Sequence, residues 1–378
     1  MKKKLVLVTT TSQTFIQILG GQPGYLQQYY DVYLITSEEK QLKKFAELEG
    51  VTGHIAVPMK RRLAPFSDLW SVYSMIKALN KVKPDIVHSY TPKAGLVSAL
   101  AGCFVKKCVV GHTFTGLIFP FKKGIVKFLF RLIDKTICFL NEFVVAEGKG
   151  VQLMLEEITN KDICIIGNGN IAGVDLAFFN VASIVPMVTS DYQVSLQATL
   201  DCDLVFCFIG RLNNEKGVFE TISAFSKFAI ESRKKCHLII AGGIDLEDPL
   251  DEWSQNQIKQ NSAISWVGEV KDIRDILRRS HIHILVSYRE GFPNVVLQAN
   301  AMGVPSIVSD ICGSNEIITP GFNGWIVPPK SVDALLETFR SCETEDISKL
   351  GLNASANVSE KYERWQYIDK LKEFYEKI

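Results

Sequence analysis

Short runs of β-branched and aliphatic residues alternate with amphipathic stretches along both halves of the chain. In the first half the runs predict strands at Leu5–Thr9, Val32–Thr36, Asp85–His88, Cys108–His112, Phe143–Ala146 and Ile163–Ile166. In the second half they predict strands at Leu204–Ile209, His237–Ala241, Ile264–Val267, His283–Val286 and Pro305–Ser309. Lys-rich or Glu-rich helical segments lie between them. Strand and helix in alternation is the pattern of a doubly wound parallel sheet, here occurring twice. Residues 176–203 have no long periodicity and make the best linker. The segment Ser359 to Ile378, with Tyr362, Trp365, Phe374 and Tyr375 among charges, reads as a terminal helix. The expected division is 1–180, 181–358 and a C-terminal helix at 359–378. There is no internal sequence repeat and no low-complexity tract.

Length agrees with this division, since 378 residues exceed one ordinary core and suit two domains of about 150–200 residues. A hydrophobic share of 47% with 22% charged residues is that of a globular protein, not a disordered one. No apolar run reaches the ~18 residues that a membrane-spanning helix needs. The opening Met1-Lys2-Lys3-Lys4 followed by Leu5-Val6-Leu7-Val8 mimics a signal peptide, but the apolar stretch is too short and no small-residue cleavage site follows. It reads as a first buried strand. Nine cysteines without a C-x-x-C pair fit buried free thiols in a reducing cytosol, and no His/Cys cluster has zinc-ligand spacing. A cytoplasmic protein without a bound metal is therefore expected.

The net charge of +1 conceals an asymmetry. Residues 1–175 hold 22 Lys and Arg against 14 Asp and Glu, a net +8, while residues 176–378 hold 20 against 27, a net −7. Mutual attraction of two lobes accounts for this as well as an anionic partner of the first lobe does, whether a membrane surface or a pyrophosphate-bearing acceptor. Nucleic acid is disfavoured, because the basic excess is confined to one lobe and lacks a recognisable module.

Two segments carry candidate chemistry, each just past an apolar strand. Gly210-Arg211-Leu212-Asn213-Asn214-Glu215-Lys216-Gly217 supplies two cations, and Glu290-Gly291-Phe292-Pro293-Asn294-Val295-Val296-Leu297-Gln298 supplies a carboxylate leading into a helix. A departing nucleoside diphosphate gains negative charge as its bond to a sugar breaks. Fixed cations stabilise that state more than the ground state. Arg211 offers a rigid donor fork and Lys216 a mobile point charge. Pro293 suits a first-turn position, and the amides of Asn294 and Val295 would point at the diphosphate. The plainer readings are a solvated loop with routine charges, and an acid at position 290 that merely complements the helix dipole.

Together these segments resemble the retaining GT-B glycosyltransferases of family 4, the glycosyl transferases group 1, of the bacterial capsule and lipopolysaccharide type. The family pattern G-R-L-x-x-x-K-G is matched at every fixed position. The resemblance implies an α/β GT-B fold: two Rossmann-like domains facing an interdomain cleft, with the terminal helix crossing back to the first domain. It implies that Gly210, Arg211, Lys216, Gly291, Phe292, Asn294 and Val295 bind the nucleotide sugar, and that Glu290 lies near the donor sugar. One departure stands out. Where the family usually has a second Glu, accepting hydrogen bonds from the ribose, this chain has Gln298, which keeps an acceptor oxygen but loses the charge. Trp266 to Val270, centred on Val267, corresponds to the element that contacts the nucleobase.

In the first lobe, Asp85-Ile86-Val87-His88-Ser89-Tyr90-Thr91-Pro92-Lys93-Ala94-Gly95 resembles the family's D-I-V-H-x-H-x-P-K-A-G segment, which puts His88 on the sugar or acceptor side. Gly111-His112-Thr113-Phe114-Thr115-Gly116 resembles its T-x-H-G loop. Thr115 stands before Gly116 where many relatives carry a sugar-contacting His. His112, three residues earlier, is the alternative catalytic candidate, or else a hydrogen-bonded structural residue. Asn168-Gly169-Asn170-Ile171 with Gly173-Val174-Asp175 matches an interdomain turn and reads as a hinge. Gly303-Val304-Pro305 and Gly321-Phe322-Asn323-Gly324 read as turns, and Gly313 with Glu316 matches G-x-x-E.

Lys122 to Asn141 carries an apolar stripe, Ile125, Phe128, Leu129, Leu132 and Ile133, and a basic one, Lys123, Lys127, Arg131 and Lys135. Such a helix either covers the sheet or lies on an anionic membrane, with Lys60-Arg61-Arg62 as a weaker candidate for the same surface. The expected activity is a metal-independent, cofactor-free transfer from a nucleotide sugar, UDP-linked, to a saccharide or polyprenyl-pyrophosphate-linked saccharide, with peripheral contact at the inner membrane face. A non-catalytic sugar-nucleotide binder and a GT-B UDP-sugar epimerase are the alternatives.

Overall fold

The computed structural model describes residues 2–60, 64–183 and 197–378. Arg61 and Arg62, and residues 184–196 of the expected linker, lie outside the described residues. The chain divides into two compact units: Met1–Ala172 together with Trp365–Ile378, and Gly173–Arg364. The division thus falls at Ala172/Gly173 where 180/181 was expected.

The first unit holds a parallel sheet of β1 (Lys4–Val8), β2 (Asp31–Thr36), β3 (Gly53–Ala56), β4 (Ile86–Ser89), β5 (Val109–Phe114), β6 (Phe143–Ala146) and β7 (Ile163–Cys164), in the order β3-β2-β1-β4-β5-β6-β7. The second holds β8 (Leu204–Ile209), β9 (Cys236–Ala241), β10 (Ile264–Trp266), β11 (Ile282–Leu285), β12 (Ser306–Ser309) and β13 (Gly324–Val327), in the order β10-β9-β8-β11-β12-β13. Each order runs outward in both directions from a central pair, β1 and β4 or β8 and β11. The loops leaving those strands diverge there and open a crevice at the carboxyl end of the sheet.

Alternation on β1 shows how both faces are filled. Leu5 and Leu7 pack with Phe15, Phe45 and Tyr375, while Val6 and Val8 pack with Met75, Leu79 and Val97. Strands buried on both faces read as continuous apolar runs, which is why the pattern locates them. The edge strands β3 and β13 were not predicted.

The expected terminal helix is two helices, Ile347–Lys361 and Arg364–Glu376. Between them Tyr362 accepts the amide of Val174 at 2.8 Å, and Arg364 donates to the Val174 carbonyl at 2.9 Å. The two points at which the chain passes between units are therefore side by side. Gly173 is confined to glycine there: its φ is +57°, and a Cβ would lie 2.4 Å from the Cα of Arg364. The helix Arg364–Glu376 buries Tyr367, Ile368, Leu371 and Tyr375 in the core of the first unit.

That core also takes up two histidines. His88 is fully buried, with Nδ1 2.5 Å from the Tyr375 hydroxyl and Nε2 2.7 Å from Thr113 Oγ1. His112 packs its ring on Gly95, where a Cβ would come within 2.6 Å of its Cε1. Ser89 Oγ lies 3.1 Å from the Gly111 carbonyl oxygen and 2.9 Å from His112 Nδ1, while His112 Nε2 is buried without a partner. In the second unit His283 is likewise buried, with Nδ1 3.1 Å from Ser306 Oγ.

Burial disfavours the charged imidazole, pushing the pKa of both His112 and His283 down to about 3, and that of His88 well below its usual value. Between pH 6.5 and 3 the unfolded chain thus takes up protons that the native state refuses. Their contribution to stability is complete above about pH 6.5 and is lost as pH falls, by roughly 1.4 kcal/mol per pH unit for each such histidine. Urea unfolding at about pH 5 and pH 7 checks this. His112→Asn should lose less stability on acidification than the wild type, and an equal loss would contradict the assignment.

Candidate functional site

The carboxyl end of the second sheet gathers the strongest chemistry. β8 and β11 are neighbours, so the loops that follow them leave the sheet side by side. Gly217, with φ +69°, lies so near that a Cβ would stand 2.2 Å from the Val286 carbonyl oxygen. Tyr288 N donates to the Glu215 carbonyl at 2.8 Å, and Arg289 pairs with the Glu215 carboxylate at 3.0 Å. On this joined backbone the Lys216 ammonium sits 2.6 Å from Glu290 Oε1, which also accepts Ser287 Oγ at 2.6 Å. Both side chains are largely covered, at 22% and 13% exposure. Asn213 accepts the Lys216 amide at 3.1 Å through its side chain, completing the turn that aims the lysine.

Arg211 is held differently. Its side chain is 70% exposed and reaches Asp245 Oδ2 at 3.0 Å, an oxygen that also accepts Asn213 Nδ2 at 3.1 Å. The Asn213 bond, then the Glu247 amide and Arg211, keep the Asp245 carboxyl below its usual range. Lys216 is thus pre-set, whereas Arg211 rests on a carboxylate and can swing toward an incoming anion. The restriction beside Gly210 falls on Gly242: a Cβ there would stand 1.7 Å from the Gly210 carbonyl oxygen, so the two loops touch backbone to backbone.

The helix after β11 runs Asn294–Ala301. Pro293 is its N-cap in extended geometry (φ −73°, ψ 104°), not a first-turn residue as expected, and the first helical position falls to Asn294. The amides of Asn294 and Val295 lie in the first turn of the helix, and the first helical bond runs from Val296 N to the Pro293 carbonyl at 3.1 Å. Val296, Leu297, Ala299 and Asn300 are buried, while Asn294, Val295 and Gln298 share the half-exposed face. Phe292 is buried beside Tyr362, and Gly291 is pressed by Gly313, whose Cβ would meet the Gly291 carbonyl oxygen at 1.9 Å. Glu316 Oε1 accepts the Gly313 amide at 3.3 Å, so G-x-x-E serves here as a backbone clasp. Among the described residues the Gln298 side chain has no hydrogen-bond partner.

Val267 follows β10, two strands from β8 and so roughly 10 Å away across the sheet. Its amide is bonded to the Ile240 carbonyl at 2.9 Å, and the adjoining Gly268 carbonyl accepts the Gly242 amide at 2.7 Å. In the first unit, Thr115 and Gly116 leave β5 half-exposed, Thr115 Oγ1 reaching the Tyr90 carbonyl at 3.4 Å. The two histidines are buried in the first unit. β5 continues two residues beyond His112, so its ring enters the packing layer, and His88 is an anchor for Tyr375. His88 is 0% and His112 1% exposed, so neither ring, expected on the sugar side or as catalytic, reaches the surface of the first unit. Ser287, Asn213 and Asp245 went unnoticed in the sequence. The spacing Ser287-x-x-Glu290 at a strand exit was the available signal for the first, and nothing local marks Asp245.

Two family models cover the chain in tandem: Glycosyltransferase Family 4 over residues 24–170 and Glycosyl transferases group 1 over 198–364. The chain belongs to the family 4 glycosyltransferases. It is 26% identical over 380 residues to the capsular polysaccharide biosynthesis glycosyltransferase CapM of Staphylococcus aureus, covering 98% of this chain and 97% of that one. It is 25% identical to the UDP-Gal:alpha-D-GlcNAc-diphosphoundecaprenol alpha-1,3-galactosyltransferase of Escherichia coli, covering 92% and 89%. The solved structure of Anabaena Alr3699/HepE in complex with UDP and glucose matches with a TM-score of 0.80 at 15% identity over all of both chains. That likeness shows the fold, the two-domain Rossmann-like arrangement of GT-B enzymes.

For a glycosyltransferase, this geometry separates two tasks. Lys216 and Glu290 are locked together at the switch point of the second sheet, and Gln298 lies one helical turn beyond Asn294 with its polar end free. Restoring a charge at position 298 should strengthen bonds to vicinal hydroxyls, because charged hydrogen bonds exceed neutral ones by about 1 kcal/mol. Gln298→Glu is expected to tighten UDP binding about fivefold in calorimetric titration. Weaker binding would mean that the position is built for an amide.

Proposed function

We propose that this glycosyltransferase moves a sugar from a UDP-sugar onto a saccharide carried by a polyprenyl diphosphate, with retention at the anomeric carbon. The observation that carries the reading is the 2.6 Å contact of Lys216 with Glu290 at the switch point of the second sheet. It supplies a cation for the departing diphosphate and a carboxylate for the sugar in one rigid unit. In the reaction the bond from the anomeric carbon to the β-phosphate oxygen breaks. The acceptor hydroxyl oxygen bonds to that carbon on the same face, and its proton passes to the departing phosphate. Lys216 and Arg211 neutralise the charge that develops on the leaving group, the part a metal ion plays elsewhere. Glu290 stabilises positive charge at the anomeric centre. The nucleobase rests against Val267 and Gly268, and the ribose against Gln298. Support for a lipid-linked acceptor comes from the relatives, one of which is named for transfer to a diphosphoundecaprenol-linked sugar. The protein would then work peripherally at the cytoplasmic face of a membrane.

Gln298 favours one second reading, a nucleotide-sugar binder without turnover. Incubating the protein with a panel of UDP-sugars and undecaprenyl-diphosphate-linked saccharides separates the two. Transfer that falls at least a hundredfold in Arg211→Ala and Glu290→Ala is expected. Variants as active as the wild type would refute the site, donor isomerised without acceptor would indicate an epimerase, and binding without product would favour the second reading.

A further inference from the structure

The helix Gly124–Leu140 does not cover the sheet along its whole length. Its buried residues are Asp134, Ile137 and Cys138, all in its second half. Through its first half the apolar side chains stand in solvent: Ile125 is 83% exposed and Phe128 67%, with Val126, Leu129 and Leu132 also exposed, and Phe121 just before them. The apolar stripe that the sequence offers to the sheet is therefore turned largely outward. The charges of this stretch are of one sign. Lys122, Lys123, Lys127, Arg131 and Lys135 are exposed, and the only acid, Asp134, is buried.

A second helix repeats the feature. On Pro65–Val82, Phe66 is 90% exposed and Trp70 60%, and with Leu69 and Tyr73 they form one outward stripe at i, i+3, i+4 and i+7. Trp70 packs on Tyr73, and Lys77 lies over the Tyr73 ring at 4.6 Å. Both helices pack against Pro92–Gly102, in one layer on one face of the first sheet. Each links a parallel strand to a later one in the same direction across the sheet, so both run against the strands. Their N-terminal halves, where the exposed residues lie, therefore stand at the carboxyl end of the sheet, where Thr115 and Gly116 leave β5.

Contiguous exposed apolar surface marks an interaction site. Aromatics at helical spacing beside an unbroken set of cations match the interface of an anionic bilayer, which takes up apolar side chains and attracts Lys and Arg at once. Among the described residues no helix is long and apolar enough to cross a membrane, so the fit is to its surface. We propose that the N-terminal halves of Pro65–Val82 and Gly124–Leu140 form a two-helix platform that seats on anionic lipid and holds the carboxyl end of the first sheet against it. That this contact serves access to a lipid-linked acceptor rests on the function proposed above, but the contact itself does not.

Sedimentation with phosphatidylglycerol/phosphatidylcholine vesicles and with phosphatidylcholine alone tests the platform, with UDP titration on the same samples. At least tenfold tighter binding to the anionic vesicles, weakened by salt, is expected. Lys123→Glu/Lys127→Glu/Arg131→Glu and, separately, Phe128→Ser/Leu129→Ser should each lose it while keeping the melting temperature and UDP affinity of the wild type. Brominated lipid should quench fluorescence in the wild type and far less in Trp70→Phe. Equal binding to both vesicles, or no vesicle binding with self-association in light scattering, would overturn the platform. Vesicle binding without UDP binding would support it and count against the glycosyl-transfer reading instead.

Discussion

A lysine ammonium held 2.6 Å from a glutamate carboxylate ties together the two loops that diverge from the centre of the second sheet. Much around it follows from that approach. The backbone must come close enough for Gly217 to touch the Val286 carbonyl, which admits no side chain. Ser287 must turn its hydroxyl onto the same carboxylate oxygen, and Glu215 must be fastened from the other loop by Tyr288 N and Arg289. A largely covered ion pair is weak evidence for stability, because desolvation offsets most of its attraction. Its value lies in orientation: the cation is held in one place and already largely removed from water. Arg211, out in solvent on Asp245, is the adaptable counterpart.

The first unit obeys a different constraint. Its sheet is closed over by a helix from the far end of the chain, whose Tyr375 reaches His88 in the deepest layer. The chain thus passes between units twice, and the passages are stitched by the backbone bonds of Val174 with Tyr362 and Arg364. At the centre of this sheet the loop after β1 is tied to the loop after β4, with Thr10 N donating to Thr91 Oγ1 at 2.9 Å. The corresponding place in the second unit carries the Lys216–Glu290 pair. Two sheets of one topology have their switch points finished differently, one with neutral hydroxyls and one with charge.

Central strands were legible in the sequence because burial on both faces leaves an uninterrupted apolar run. Edge strands were not. Gly53-His54-Ile55-Ala56 is only partly covered, and Gly324-Trp325-Ile326-Val327 begins on a glycine that reads as a turn. That Lys216 and Glu290 follow strand ends was legible through their spacing, which is a local property. Asp245 was not, since its meaning depends on Arg211 and Asn213 more than thirty residues away in sequence. The end of β5 was not legible either: the strand was expected to stop at His112, and it runs on to Phe114 with the His112 ring buried. The aromatic stripe of Pro65–Val82 was passed over because periodicity gives an apolar face but not which way it turns.

The central claim is that Lys216 is positioned for the phosphates of a nucleotide. Calorimetric titration of UDP and of uridine into the wild type and Lys216→Met tests it most directly. UDP affinity should fall at least tenfold in the variant while uridine affinity stays the same. A parallel fall for both ligands, or none for either, would contradict the account.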